Sequence, residues 1–194
     1  MDESLTQIRH ERSKKDFPYL HLEKDEYVEF AFRRARVCLF MILGALTASV
    51  IIILLAFLLA ILGQSMLDEM GINFMYIILF SLLAAAVLIG IVAIMIYQGN
   101  KLFVTNKHVI QMVMASPVSN SINMIDLSSV EDASFHQNGI LQTFFHYGTF
   151  RLATVGDETT YTFKYSDISS EDLKAVSKLI TNAKKKTKQK QASE

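Results

Sequence analysis

Five lysines crowd the end of the chain: Lys184, Lys185, Lys186, Lys188 and Lys190. Beside a membrane, each cation of such a run is worth about 1 kcal/mol toward an anionic lipid surface. The same run also reads as a solvated, disordered tail, because like charges repel. A second set of reactive side chains is His136 and His146, ten residues apart, with Glu131 and Asp132 nearby. A metal needs three or four converging ligands, and this spacing matches no ligand pattern. Both histidines therefore read as surface or hydrogen-bonded side chains, and no metal site is expected. Cys38 is the single cysteine, which excludes a disulfide within the chain and a multi-cysteine metal site. It reads as a small apolar side chain, with lipidation or redox sensing as its other uses. No G-x-S-x-G, P-loop, G-x-G-x-x-G or H-E-x-x-H occurs, so neither an enzyme nor a cofactor is expected. Lys plus Arg equals Asp plus Glu at 19 each, and no nucleic-acid partner is implied.

The elements that must position these residues are unusual. Val37–Leu62 and Phe74–Tyr97 contain no charged residue, and each exceeds the roughly 20 residues needed to cross a hydrocarbon core. A signal peptide would have a shorter apolar stretch close to the start, whereas 36 polar-rich residues come first here. The loop between the blocks, Gly63–Asn73, carries Asp68 and Glu69 but no Lys or Arg. Arg33, Arg34 and Arg36 precede the first block, and Lys101 and Lys107 follow the second. Lys and Arg collect on the cytoplasmic side, so a multi-pass plasma-membrane protein with both termini cytoplasmic is expected. A loop this short makes the two helices antiparallel neighbours. The pairs Gly44/Ala48, Ala45/Ser49 and Ala86/Gly90 have the small-xxx-small spacing that lets helices approach, within the hairpin or between copies. Neither span holds an Asp, Glu, Lys, Arg or His, which argues against a pump or transporter.

Outside the spans, the first 16 residues look disordered, and Asp25–Arg36 could run helically into the first span. After Tyr97 the period shifts toward two. Strands are expected at 102–105, 108–114, 121–126, 129–135, 149–155 and 160–165, with turns at Asn138-Gly139 and Gly156-Asp157-Glu158. One helical turn is expected at Ile140–Phe145. A final helix, Ser170–Lys185, has Ser169 as N-cap with Asp172 three residues on, and Leu173, Val176, Leu179, Ile180 and Ala183 as its apolar stripe.

Several segments in this order resemble the bacterial PH-domain family, in particular its YdbS-like membrane proteins. Leu102-Phe103-Val104-Thr105-Asn106-Lys107-His108-Val109-Ile110 is similar to that family's opening Y-x-(I/V)-T-(N/D)-x-R-(L/I). Ile125–Val130 is similar to a later strand, Tyr147-Gly148-Thr149 to a G-Y-G-T step, and Pro18–Leu22 with Glu26 to a short lead-in before the first span. The chain departs from the pattern at His108, where Arg is frequent, at His146, where Gly is usual, and at Ser169-Ser170, where a Pro often starts the helix. The resemblance implies a seven-stranded, strongly bent sheet capped by a helix, and no enzyme. Phosphoinositide binding of the eukaryotic PH kind would need basic residues in the first hairpin loop, and Ala115–Asn120 has none.

The expected architecture is therefore membrane α + β: a cytoplasmic segment 1–36, a transmembrane hairpin (37–62 and 74–97), a PH-like antiparallel half-barrel capped by a C-terminal helix (98–185), and a basic disordered tail (186–194). The expected function is a non-catalytic, membrane-anchored module for protein interaction or self-association, its partners being the bilayer and either another protein or a second copy. The alternative is binding of anionic lipid through Lys184, Lys185, Lys186, Lys188 and Lys190.

Overall fold

The computed structural model describes residues 2–63, 69–154 and 160–191. In chain order the elements are α1 (Asp2–Asp16), β1 (Val28–Arg33), α2 (Arg36–Leu62), α3 (Glu69–Gly99), β2 (Lys101–Thr105), β3 (His108–Ser116), β4 (Ser119–Asp126), a 3-10 turn (Leu127–Ser129), β5 (Val130–His136), α4 (Ile140–Phe144), β6 (Gly148–Thr154), β7 (Thr160–Ser166) and α5 (Ser170–Gln191). The chain divides into a helical unit, 36–98 with 116–118, and a β unit made of 1–35, 99–115 and 119–194.

In the helical unit both helices are long and apolar enough to cross a membrane. At 1.5 Å per residue, α2 is about 40 Å long. No residue of α2 is buried, and Gly90 is the one buried position among the described residues of α3. A Cβ at Gly90 would meet Leu46 Cδ1 at 2.5 Å, whereas one at Gly44 would meet nothing within 4 Å. Of the two glycines singled out by spacing, Gly90 is thus the one that lies against the facing helix. The rings of Phe57 and Tyr76 add an aromatic contact, with centroids 5.4 Å apart. The hydroxyls of Thr47, Ser49 and Ser81 each donate to a carbonyl three residues back, which satisfies them without an outside partner.

The β unit holds two antiparallel sheets, in the orders β1-β2-β3-β4 and β5-β6-β7. β1 precedes the apolar helices and β2 follows them, yet the two pair directly, from Val28 opposite Thr105 to Arg33 opposite Lys101. The helical hairpin is therefore inserted between two adjacent strands of one sheet. This corrects the expectation of helix through Asp25–Arg36. Phe30 and Phe32 share a face, with rings stacked at 5.8 Å, and Phe32 is buried in the main core. That core gathers Leu102, Val104, Phe150 and Leu152 from the sheets against Val176 and Ile180 of α5. Phe103 and Ile110 belong to a second cluster with Leu20, against which Phe17 packs.

The disordered start expected from composition is instead helical. α1 is polar almost throughout, so it shows no apolar stripe. Side-chain hydrogen bonds and charge hold it: Ser13 Oγ accepts the Val28 N–H at 3.0 Å, His10 Nδ1 meets the Glu26 carbonyl, and Arg9 lies 3.5 Å from Glu29. At the other end α5 starts as expected. Ser169 Oγ accepts the Asp172 N–H, and Asp172 accepts from the Ser169 N–H, which closes a capping box. The helix then runs on to Gln191, so the residues after 185 that composition assigned to a disordered tail are helical up to that point. The Gly156-Asp157-Glu158 turn lies outside the described residues.

Candidate functional site

The segment Thr105-Asn106-Lys107-His108 forms the end of β2, the turn and the start of β3. Each of its four side chains reaches back to the lead-in at 23–27. Thr105 Oγ1 donates to Glu26 Oε1 at 2.6 Å, and His108 Nδ1 lies 2.9 Å from the same oxygen. Glu26 Oε2 accepts the Glu23 N–H at 2.9 Å. Asn106 accepts the Tyr27 N–H and donates to the Asp25 carbonyl. Lys107 Nζ donates to the Lys24 carbonyl at 2.9 Å and pairs with Glu23 at 3.2 Å. Asp25 takes a left-handed φ of 62°, which turns the lead-in so that Glu26 points inward.

Glu26 is fully buried. Burial pushes its carboxyl pKa up, but the hydrogen bonds from Thr105, the Glu23 backbone and His108 outweigh this and hold it below the ordinary range. Among the described residues, Glu23, Glu26 and His108 are the set of potential metal ligands that converge, with ligand atoms within 4.8 Å of one another. Their chemistry is that of an ion-pair network. Both Glu26 oxygens are already engaged, and the Lys107 ammonium occupies Glu23. A cation there would have to displace a cation.

Next to the network lies an open cleft of about 510 Å³, walled by Lys107, His108, Asp126, Ser128, Lys186 and Thr187 among others. Its charges are mixed, so it presents no single-sign surface. The lysines singled out by sequence are dispersed by the helix that carries them. Lys184 donates to the Glu131 carbonyl at 3.1 Å, Lys186 faces the cleft, and Lys185 and Lys188 are exposed; the Lys190 side chain lies outside the described residues. His136 and His146 are both exposed and belong to no converging ligand set among the described residues. Cys38 is half-buried on α2.

Two residues of the His146-Tyr147-Gly148 step have backbone roles. A Cβ at Gly148 would stand 2.5 Å from the His136 carbonyl oxygen, so a side chain there would collide with backbone. His146 has φ of 54°, the left-handed region that glycine enters at no cost, which accounts for glycine in the pattern this step resembles. Sequence reasoning did not single out Glu26 as a buried carboxylate. The signal was present in the lead-in and the Thr-Asn-x-His segment, but nothing in the sequence pairs them.

No protein-family profile matches the chain, and no curated protein matches its sequence. Among solved structures, it is similar to a DUF1696 family protein with a pleckstrin-homology domain from Shewanella loihica PV-4, at 9% identity over 91% of this chain and 96% of that one, with a TM-score of 0.39.

Proposed function

We propose that this chain is an integral protein of the plasma membrane, crossed by α2 and α3 as a hairpin with both termini cytoplasmic, and that its PH-like β unit is a non-catalytic module for protein interaction or self-association. The observation that carries the membrane reading is the exposure of α2: 27 residues long, apolar all round, and without one buried position. The core helix of a soluble protein would have its apolar surface covered by protein, and a helix apolar on every face needs an apolar surrounding. The basic flanks Arg33, Arg34, Arg36 and Lys101, against Asp68 in the connecting sequence and Glu69 at the first position of α3, support the cytoplasmic placement of both termini.

The interaction reading is supported by β4. It ends its sheet with β3 as its one neighbour, and Ile122 and Met124 are exposed on it. Such an edge offers unpaired N–H and C=O groups to an added strand. A photo-reactive residue at Ile122, activated in native membranes, is expected to give a discrete crosslinked product with a partner or a second copy. Absence of any product at this position and at Met124 would count against the module. The alternative, the lysine segment as a lipid anchor, is weakened by geometry: Lys184 and Lys186 are held beside Glu131 and the Lys107 turn, and not on the end of the β unit that joins the spans.

A further inference from the structure

α5 presents two different surfaces. At about 100° per residue, Leu173, Val176, Leu179, Ile180 and Ala183 fall on one side of it. The core takes up that side: Val176 and Ile180 are buried, and the other three pack against them and their neighbours. The opposite side is a row of cations. Lys174, Lys178, Lys185 and Lys188 are exposed, and they fall within an arc of about 80° around the helix. With Thr181 among them, successive members of the row are four, three, four and three residues apart. This is the heptad spacing that keeps a seam facing a partner helix over several turns. From Lys174 to Lys188 the row is about 21 Å long.

Nothing in the helix neutralises this row. The acids of α5 are Glu171 and Asp172 in its first turn, and residues 173–191 hold seven lysines and no Asp or Glu. None of the four row lysines makes an ion pair or hydrogen bond among the described residues. Like charges three or four residues apart on a helix repel, so Lys174 with Lys178, and Lys185 with Lys188, weaken the helix that carries them. The macrodipole favours cations in the last turn alone, which accounts for Lys188 but not for Lys174 or Lys178. Solubility is served as well by both signs interspersed.

We infer that this face of α5 docks an acidic helical segment of another protein, whose Asp or Glu side chains at heptad spacing meet Lys174, Lys178, Lys185 and Lys188. Charge selects the occupant, and so does what the row lacks. Residues 171–191 contain no Arg, Phe, Tyr or Trp, so the forked contacts and stacked rings that hold nucleic acid are missing. A helix that lies on lipid needs apolar side chains to insert beside its cations, and the apolar stripe of α5 is committed to the core. Thr181, in the middle of the row, donates its hydroxyl back to the Ser177 carbonyl at 2.9 Å and leaves recognition to the charges. Lysines are compact, strongly hydrated charges on long stems, which suits carboxylates met across a wet helix–helix contact. The row lies wholly on one helix of the β unit, so the inference stands apart from the membrane reading. It adds a second surface to the interaction module proposed above and makes no use of the β4 edge.

The test uses the full chain in a neutral detergent. The probe is a fluorescein-labelled, alanine-based helical peptide with Glu at heptad spacing. A second peptide has the same composition, with its glutamates spread around the helix. Fluorescence anisotropy is expected to show the first peptide binding, and binding more weakly as salt rises, because exposed charges are screened within about 8 Å at physiological ionic strength. An exposed ion pair is worth about 1.5- to 5-fold in affinity, so Lys178→Gln together with Lys185→Gln is expected to weaken binding about tenfold. Lys184→Gln together with Lys186→Gln removes the same charge beside the row and is expected to change binding about twofold or less. Both double variants are expected to melt as the wild type does. Equal losses from the two pairs, or equal binding of the two peptides, would show attraction to bulk charge and overturn the row. Failure of the first peptide to bind overturns it as well. If phosphatidylglycerol vesicles or a DNA duplex then bind through the same lysines, the face belongs to lipid or to nucleic acid. Absence of crosslinking at Ile122 has no bearing on peptide binding, so the β4 edge and the α5 row fail separately.

Discussion

α5 and α2 are both long helices, of 22 and 27 residues, yet their apolar residues meet different fates. α5 has a stripe, and the stripe is matched: Val176 and Ile180 are buried against the core of the two sheets, while Lys174, Lys178, Lys185 and Lys188 are exposed. α2 is apolar on every side and buries nothing. The helical hairpin answers only a part of this, since Gly90 seats Leu46 along one line of contact. The comparison teaches that apolar content alone does not decide where a helix goes. A stripe can be satisfied by a neighbouring sheet, but an apolar cylinder needs a solvent that is itself apolar.

The comparison can be broken most forcefully at the matched helix. Val176→Asp would place an unpaired charge in the core, at a cost of about 3–5 kcal/mol, a large share of the ~5–15 kcal/mol that holds a typical domain together. Limited proteolysis in membranes is expected to degrade the β unit of this variant while the helices stay with the membrane. Loss of both together would mean that the two units do not owe their environments to separate causes.

A smaller effect is expected at Glu26. Glu26→Gln replaces one of the two acceptor oxygens with an NH2 donor, so either the Glu23 N–H or the Thr105 hydroxyl loses its acceptor, which costs about 1–3 kcal/mol. The pH dependence sharpens the test. The folded-state pKa of Glu26 lies below its ordinary 4.5, so its contribution is complete above that value and is lost as pH falls through the lowered one. Thermal melts of wild type and Glu26→Gln are expected to differ at neutral pH and to converge in acid. A constant gap at all pH values would show that the Glu26 carboxylate is not held by the Thr105–His108 network.

The smallest effect belongs to the helix cap. Ser169→Ala removes the acceptor of the Asp172 N–H and should lower stability by about 1 kcal/mol, read as a modest drop in the melting temperature of the β unit with no change in membrane retention.

What was legible in the sequence followed from how local each signal is. The apolar helices were legible because a charge-free run needs no partner to be recognised. The α5 cap was legible because Ser169 and Asp172 are three residues apart. β1 was not, because its six residues pair with a strand on the far side of the entire hairpin, and its two-residue period was read as a lead into the helix. α1 was missed because polar contacts, unlike an apolar stripe, leave no periodic trace. The Glu26 network joins residues 79 and 82 positions apart. Its parts stood in two motifs that resembled a family pattern, but only the fold brings them together and shows that their work is to staple the lead-in to the β2–β3 turn. The lysine run was visible at once, yet its consequence was not, since helix to Gln191 spreads side chains that a flexible tail would have massed.

The claim on which the rest depends is that α2 and α3 lie in lipid. Alkaline carbonate extraction of native membranes carrying the full chain tests it most directly. The protein is expected to stay entirely in the membrane pellet, as a chain with two spanning helices must. Its release into the supernatant, in the way peripheral proteins are stripped, would contradict the reading of both helices.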